Sequence, residues 1–278
     1  MSPGNRPSSS RSIRLVRLLR QASTRPSSDV VEKLRSAIGR AEAVIHETGG
    51  SSRLQKQLKK IRKRVVDLRD IDRQLKIVTA LSRDRRADTM AVSAALQAAR
   101  EKQSRKLKKV LEDELDAGLV KRLEKALSGV AWHAGSSTLD LVQIAGEFHG
   151  LVGRQSLTSE TLSTLRAEIK KLRYRAELAA GPDRRNGLVL ELSKVLDAIA
   201  DWRDGLKLSE TAINVLGDSK RNTLLSVLRA QNQSRFLEAA RSVEHARQKV
   251  PMLFSGEAEK KQPASSQYPE YKIHVVSA

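Results

Sequence analysis

LRAEIKKLRYRAEL, residues 165–178, combines an apolar row and five basic side chains on one predicted helix. Apolar residues recur every three or four positions from Leu165 to Ala176, which is the spacing of a helix that buries one face. Arg166, Lys170 and Arg173 each follow an apolar residue of this row. Since one position further along lies about 100° round an α-helix, these cations border the predicted core and do not oppose it.

The same helical spacing runs through most of the chain and predicts an all-α fold. A second apolar row extends from Leu54 to Leu75, no proline interrupts residues 27–181, and strand-like alternation is hard to find before residue 270. Asp29, and either Thr158 or Ser159, are predicted helix N-caps. Nine helices are predicted, over residues 11–22, 29–47, 53–83, 88–116, 118–132, 138–151, 159–180, 187–216 and 219–248.

Three short motifs recur in the same order at an offset of about 130 residues, which predicts a duplicated helical unit. The paired arginines are Arg35 with Arg166, Arg69 with Arg203, and Arg105 with Arg235. We therefore expect two helical bundles related by a pseudo-twofold axis, with a basic groove enclosed where the halves face each other.

The duplicated unit is expected to fill most of the chain. Its halves are predicted to span residues 25–155 and 156–248. Residues 1–24 are predicted to form a basic, flexible N-terminal arm with a short helix, and residues 249–278 a flexible tail. An organellar transit peptide is an alternative interpretation of the N-terminus, because residues 1–28 contain arginine and serine but no acid.

The charge of the chain predicts a polyanionic partner. Lys and Arg number 52 against 32 Asp and Glu, which gives a net charge of +20 that solubility alone does not require. Nucleic acid, an anionic membrane surface and inorganic phosphate polymers are the candidates. Aromatic residues are only 3% of the chain, which counts against a single-strand nucleic-acid module. No apolar run is long enough for a membrane span, and the absence of cysteine fits a reducing compartment, so we expect a cytoplasmic protein.

The basic row of residues 165–178 has a counterpart on the predicted third helix, where Lys59, Arg62 and Arg69 each follow an apolar residue. Under an alternative interpretation these cations only cover apolar surface with their stems, and acids such as Glu168 and Glu177 pair with neighbouring cations. The repeat and the net charge favour phosphate binding, for which arginine supplies a bidentate fork and lysine a point charge. The candidate binding residues are Arg35, Arg40, Lys59, Arg62, Arg69, Lys102, Arg105, Arg166, Lys170, Lys171, Arg173, Arg203 and Arg235.

These motifs resemble the CHAD family, the conserved histidine α-helical domain. Leu165–Glu177 is similar to the family's most specific signature, with Leu34–Arg40 as its counterpart in the first half, and Leu68–Asp72 is similar to the family's RD-x-D segment. The resemblance covers roughly residues 25–248 and implies two four-helix bundles whose basic central surface binds inorganic polyphosphate, in proteins that can associate with polyphosphate granules. Glu32 and Ser163 occupy the positions of the family's histidines, and Gly39 and Glu42 replace bases in the first half.

No sequence motif predicts catalysis. The phosphate loop of nucleotide hydrolases, the zinc-protease helix and the serine-hydrolase elbow are all absent. Asp70 and Asp72 are expected to orient neighbouring arginines and not to bind a metal, and Trp202 and Tyr174 are expected to pack. We therefore predict a polyphosphate-binding protein without catalytic residues, metal or cofactor. The alternatives are a nucleic-acid-binding protein that uses the same surface, and a phosphohydrolase or an accessory to one.

Overall fold

The computed structural model describes residues 7–47, 51–81, 86–128, 138–153, 156–180, 186–219 and 221–254. Over these ranges the chain forms α-helices and no strand, which confirms the predicted all-α class. The helices are α1 (Pro7–Thr24), α2 (Ser28–Glu47), α3 (Ser52–Ala80), α4 (Arg86–Glu114), α5 (Ala117–Ser128), α6 (Thr138–Val152), α7 (Ser159–Ala179), α8 (Gly187–Leu216) and α9 (Thr223–Met252).

The chain divides into two compact units. Unit 1 comprises residues 1–132 and 203–232, and unit 2 comprises residues 133–202 and 233–278. Helices α8 and α9 thus each contribute one part to unit 1 and one part to unit 2. The duplication, its halves and the enclosed groove stay predictions.

Unit 1 is built on the long helix α3, which packs against α2, α4 and α5. The predicted apolar row of this helix is buried from Leu54 to Leu68, because it presents leucine, isoleucine or valine at every turn of that face. A second cluster forms toward the other end of α3, where Val78 joins buried residues of α4, α8 and α9. The buried partners of Val78 there are Val92, Leu96, Leu208, Ala212, Leu224, Leu225 and Leu228.

The short helix predicted over residues 11–22 is confirmed and is longer, Pro7–Thr24, but it is packed and not part of a flexible arm. Residues 1–6 lie outside the described part. Helix α1 contacts α2, α4 and α5. Leu15, Leu19 and Ala22 are buried because they share one face of α1 at three- and four-residue steps. The arginines of this segment had suggested an arm, but the apolar face decides its structure.

The N-cap of α2 is Ser27 and not Asp29. The Ser27 hydroxyl accepts a hydrogen bond from the Val30 backbone N–H at 3.4 Å, and Asp29 lies inside the first turn. Glu32, three residues after Asp29, accepts hydrogen bonds from Arg35 and Arg69. The carboxylate of Glu32 is therefore used between helices and not at a helix end.

Unit 2 contains α6, α7, the first part of α8 and the last part of α9. The predicted apolar row of α7 is buried from Leu165 to Ala176, together with Phe148 of α6. Trp202 packs in this core with its ring 5.7 Å from that of Phe236, as the sequence predicts. The predicted tail begins inside α9, which continues to Met252, and residues 255–278 lie outside the described part.

Candidate anion-binding site

Capping fixes the residue at which helix α7 of unit 2 starts, and its buried apolar row fixes which side chains face the core. The Thr158 hydroxyl accepts from the Thr161 backbone N–H at 3.2 Å, and the Thr161 hydroxyl accepts from the Thr158 backbone N–H at 2.8 Å. This reciprocal capping confirms Thr158 as the N-cap and satisfies N–H groups that the helix itself leaves unpaired. Since the row Leu165–Ala176 is buried, the cations one position further lie half-buried at the edge of the core, as predicted.

Tyr174 holds two of these cations beside each other. Its side chain is buried, with 8% of its surface exposed. The guanidinium carbon of Arg173 lies 4.5 Å from the ring centroid, and the Lys170 ammonium lies 5.7 Å from it. A cation over an aromatic face is attracted by the ring quadrupole, so one ring offsets part of the repulsion between two positive charges. The sequence predicted that Tyr174 packs, but not that it contacts both cations.

The carboxylates near this row pair within α7 itself. Arg173 donates to Glu177 at 2.5 Å, and Lys171 donates to Glu168 at 2.8 Å, as the alternative interpretation of the charges predicted. Each pair joins residues three or four apart on one helix face. The Lys171–Glu168 pair is exposed and the Arg173–Glu177 pair is half-buried, and local pairs of this kind contribute little to folding, about 0–1 kcal/mol. A stronger anion can therefore replace the carboxylate without disturbing the core.

Arg69 of unit 1 is held in a different way. Its side chain is 9% exposed, and its guanidinium donates to Asp204 of α8 at 2.9 and 3.0 Å, to Glu32 of α2 at 3.2 Å and to Asp70 at 3.3 Å. Burial lowers the pKa of Arg69, but the three carboxylates outweigh burial and raise its pKa above the ordinary value. Asp204 is buried as deeply, with a side chain that is 5% exposed.

The cluster around Arg69 joins three helices of unit 1, and we call it the Arg69 network. Its carboxylates Glu32, Asp70 and Asp204 also accept from Arg35 at 2.7 Å, from Lys207, and from Arg73 at 3.1 Å, respectively. Burial raises the pKa of Glu32, but hydrogen bonds from Arg35 and Arg69 outweigh burial and lower its pKa. The network thus ties α2, α3 and α8 together through cations that already have carboxylate partners.

Asp70 and Asp72 orient arginines, as the sequence predicts. Asp70 accepts from Arg69, and Asp72 accepts from Arg100 of α4 at 2.5 Å. Arg100 also donates to the backbone carbonyl of Pro26 at 3.1 Å, so it ties the segment between α1 and α2 to α3.

The remaining predicted binding residues differ in exposure and in partners. Arg62 is half-buried and donates to Glu42 at 2.9 Å. Lys59 is exposed, because it lies about 140° from the middle of the buried face of α3. The prediction that Lys59 borders the core is therefore wrong. Within their own units, Arg40, Lys102 and Arg105 are exposed, and Arg203 and Arg235 are half-buried.

Three features were missed at the level of sequence. Glu32 and Asp204 are central to the Arg69 network, and a signal existed for Asp204, which belongs to a repeated motif. Glu191 of α8 is a buried carboxylate in unit 2 that accepts from Lys194 and Lys249, both at 2.8 Å. Burial raises the pKa of Glu191, but the two lysines outweigh it and lower the pKa. Nothing in its local sequence distinguishes Glu191 from a surface acid.

In the part of the chain that the structure describes, no group of three His, Cys, Asp or Glu side chains is arranged to hold a metal ion. His46, His149 and His245 are exposed on separate helices, and His133 and His274 lie outside the described part. None of the described helices combines the length and the apolar character needed to cross a bilayer.

Comparisons with known proteins place this arrangement in a family. PptA from Streptomyces chartreusis is similar in structure, with a TM-score of 0.61 at 15% sequence identity, over 87% of this chain and 96% of that chain. At this identity the likeness shows the fold alone. No curated protein sequence matches the chain. A family model described as the CHAD domain matches residues 29–212, a range that takes in α7, Glu32, Arg69 and Asp204. The chain therefore belongs to the CHAD domain family.

Proposed function

We propose that this protein binds inorganic polyphosphate through α7 of unit 2 and does not turn it over. The observation that carries the proposal is the placement of Lys170 and Arg173 over the buried ring of Tyr174, on a helix that lies within the range matched by the CHAD domain model. Two positive charges held side by side at the edge of a core suit a ligand with closely spaced negative charges.

The chemistry of the row matches a phosphate chain. Arg166, Lys170 and Arg173 follow one another at four- and three-residue steps, so the row extends for about 10 Å along α7. Arginine can bind two phosphate oxygens at once, and lysine adds a compact charge. Polyphosphate would displace the carboxylates of Glu168 and Glu177, because a chain of phosphates offers several charges to the row at once.

Arg69 has a positioning role in this proposal and does not contact phosphate. Its guanidinium is buried and surrounded by Asp204, Glu32 and Asp70. Withdrawing it toward an external ligand would leave buried carboxylates without a partner, which is strongly unfavourable. The exposed Arg40, Lys102 and Arg105 stay predictions as phosphate contacts.

A titration with long-chain polyphosphate tests the proposal. Arg166→Ala combined with Arg173→Ala should weaken binding by about tenfold or more, because it removes two charges that meet phosphate directly. The matched control is Arg221→Ala with Arg241→Ala, which removes two exposed arginines outside the predicted set. Equal affinity of the wild type and the α7 double variant would show that the assignment is wrong.

Two further assays separate the alternatives. In competition, long-chain polyphosphate should displace duplex DNA readily, whereas a nucleic-acid-binding protein would retain the DNA. Incubation of polyphosphate with the protein and a divalent metal ion should release no phosphate. Phosphate release that disappears in the α7 double variant would establish a phosphohydrolase instead. The cellular counterpart of the proposal is association with polyphosphate granules, which the α7 double variant should lose.

A further inference from the structure

The first four turns of α3 carry an unusual run of positive charge. Seven basic residues and no acid lie between Arg53 and Arg64. Three of them have carboxylate partners: Lys60 with Glu114 at 2.6 Å, Arg62 with Glu42 at 2.9 Å, and Arg64 with Asp67 at 3.8 Å.

The other four form one surface, which we call the outward face of α3. It consists of Arg53, Lys56, Lys59 and Lys63, all of which are exposed. Among the described residues no carboxylate pairs with any of them. At about 100° per residue the four fall within a sector of about 120°, opposite the buried row that begins at Leu54. The face extends for about 15 Å along the helix.

This arrangement is unfavourable for the helix by itself. Like charges three or four residues apart repel each other, as Lys56 with Lys59 and Lys59 with Lys63 do. Cations near a helix N-terminus also oppose the helix dipole, and the first turn of α3 contains no acid to compensate. A bound polyanion would remove both costs.

The outward face also differs from the core-bordering cations of the same unit. Arg35, Arg62 and Arg69 are already paired with Glu32, Glu42 and Asp204. The positive charge of α3 that carboxylates leave uncompensated therefore lies mainly on the side away from the core. The sequence pattern had instead predicted phosphate binding by the cations that border the core.

We propose that the outward face of α3 binds a second length of the inorganic polyphosphate chain, a proposal that rests on the function proposed for α7. Charge complementarity supports a linear polyanion as the occupant. The segment from Ser52 to Arg64 contains no aromatic side chain on which a base could stack, which favours a phosphate chain without bases over nucleic acid. Unit 1 then contributes to affinity for long chains through a surface separate from the Arg69 network.

The test compares two triple variants of the full-length protein. One is Lys56→Gln, Lys59→Gln and Lys63→Gln, and the control is Lys76→Gln, Lys106→Gln and Lys109→Gln, which removes three exposed lysines elsewhere in unit 1. Each is titrated with a long polyphosphate chain, with a short one and with duplex DNA over a range of salt concentrations. The outward-face variant should bind the long chain about tenfold more weakly, with a salt slope smaller by about 2. The affinity for the short chain should stay unchanged, because α7 is intact.

The outcomes separate this proposal from the preceding one. A wild type that does not bind polyphosphate overturns the function proposed for α7 as well. If the wild type binds polyphosphate, the affinity of the outward-face variant for the long chain tests the second surface alone. An affinity equal to that of the wild type or of the control variant overturns only the second surface. A loss confined to duplex DNA also overturns it and assigns the face to nucleic acid. Thermal unfolding gives an independent check. The outward-face variant should have a higher melting temperature than the wild type, because it relieves the repulsion between lysines. A lower melting temperature would contradict the charge argument.

Discussion

Helix α7 of unit 2 and helix α3 of unit 1 share one sequence pattern and use it differently. On both helices arginines follow buried leucines, as Arg173 follows Leu172 and Arg69 follows Leu68. Arg173 is half-buried over an aromatic ring and pairs with Glu177 of its own helix. Arg69 is buried and donates to carboxylates from three helices.

The difference shows that the partners of a core-bordering arginine, more than its spacing, decide its role. Arg173 and Glu177 are half-buried on one helix, so an exchange of Glu177 for another anion leaves no carboxylate of a second helix unpaired. A network of buried charges holds helices together. If one of its cations bound an external ligand, its carboxylate partners would be left buried and unpaired. We therefore propose ligand binding for α7 and helix positioning for the Arg69 network.

The largest expected effect comes from Asp204→Ala. The change leaves the buried Arg69 without its closest partner, so it should destabilise the protein by about 3–5 kcal/mol. Glu177→Ala removes the partner of Arg173 and should cost less than about 1 kcal/mol. Denaturant unfolding of both variants measures the contrast, and similar losses would contradict the division of roles.

The next largest effect is expected from acid, which should weaken the Arg69 network. The lowered pKa of Glu32 means that its stabilisation is fully present above the ordinary value of 4.5 and is lost as the pH falls through the lowered value. The loss should be smaller than for Asp204→Ala, because Glu32 is partly exposed and Arg69 keeps Asp204, its closest and most buried partner. Glu32→Gln should flatten the fall in stability below about pH 4.5. A variant whose stability falls with pH as steeply as that of the wild type would exclude Glu32 from this role.

Tyr174→Leu should reduce polyphosphate affinity by about tenfold. It removes the ring that holds Lys170 and Arg173, and each cation–π contact contributes about 0.5–1 kcal/mol. Tyr174→Phe keeps the ring and should bind like the wild type, which makes it the matched control. Isothermal titration of the two variants, with their unfolding curves compared, checks this effect. Equal binding by the Leu and Phe variants would show that the ring does not position the cations.

Glu177→Gln should have the smallest effect, a gain of about twofold in affinity. The variant removes a carboxylate that competes with phosphate for Arg173 and keeps the shape of the side chain. Asp204→Asn, the corresponding change in unit 1, should give no gain. A titration at constant salt concentration measures both. A gain in the Asn variant would indicate that Arg69 reaches the ligand after all.

The sequence predicts the fold well because the apolar period is strong and residues 27–181 contain no proline. The nine predicted helices correspond in order to those of the described part, and the buried row of α7 is the predicted one. The predicted arm failed for a physical reason. The charges of residues 1–24 were given more weight than the apolar face of Leu15, Leu19 and Ala22, whose burial is what orders α1.

The site is less predictable because a sequence does not show which acid meets which base. Lys171 and Glu168 could be paired from their spacing, since both lie on one helix. Arg69 and Asp204 meet only after α3 and α8 pack, across more than a hundred residues of chain. The outward face of α3 was missed for a related reason, since Lys59 follows an apolar residue but turns away from the core.

Lysine footprinting with long-chain polyphosphate tests the central claim most directly. A small acylating reagent modifies exposed lysines of the free protein, and the bound polymer protects those that it contacts. We predict that Lys170 and Lys171 lose reactivity when polyphosphate is bound, whereas the exposed Lys76 keeps its reactivity. Unchanged reactivity of Lys170 and Lys171 in a complex that demonstrably contains polyphosphate would contradict the assignment of binding to α7.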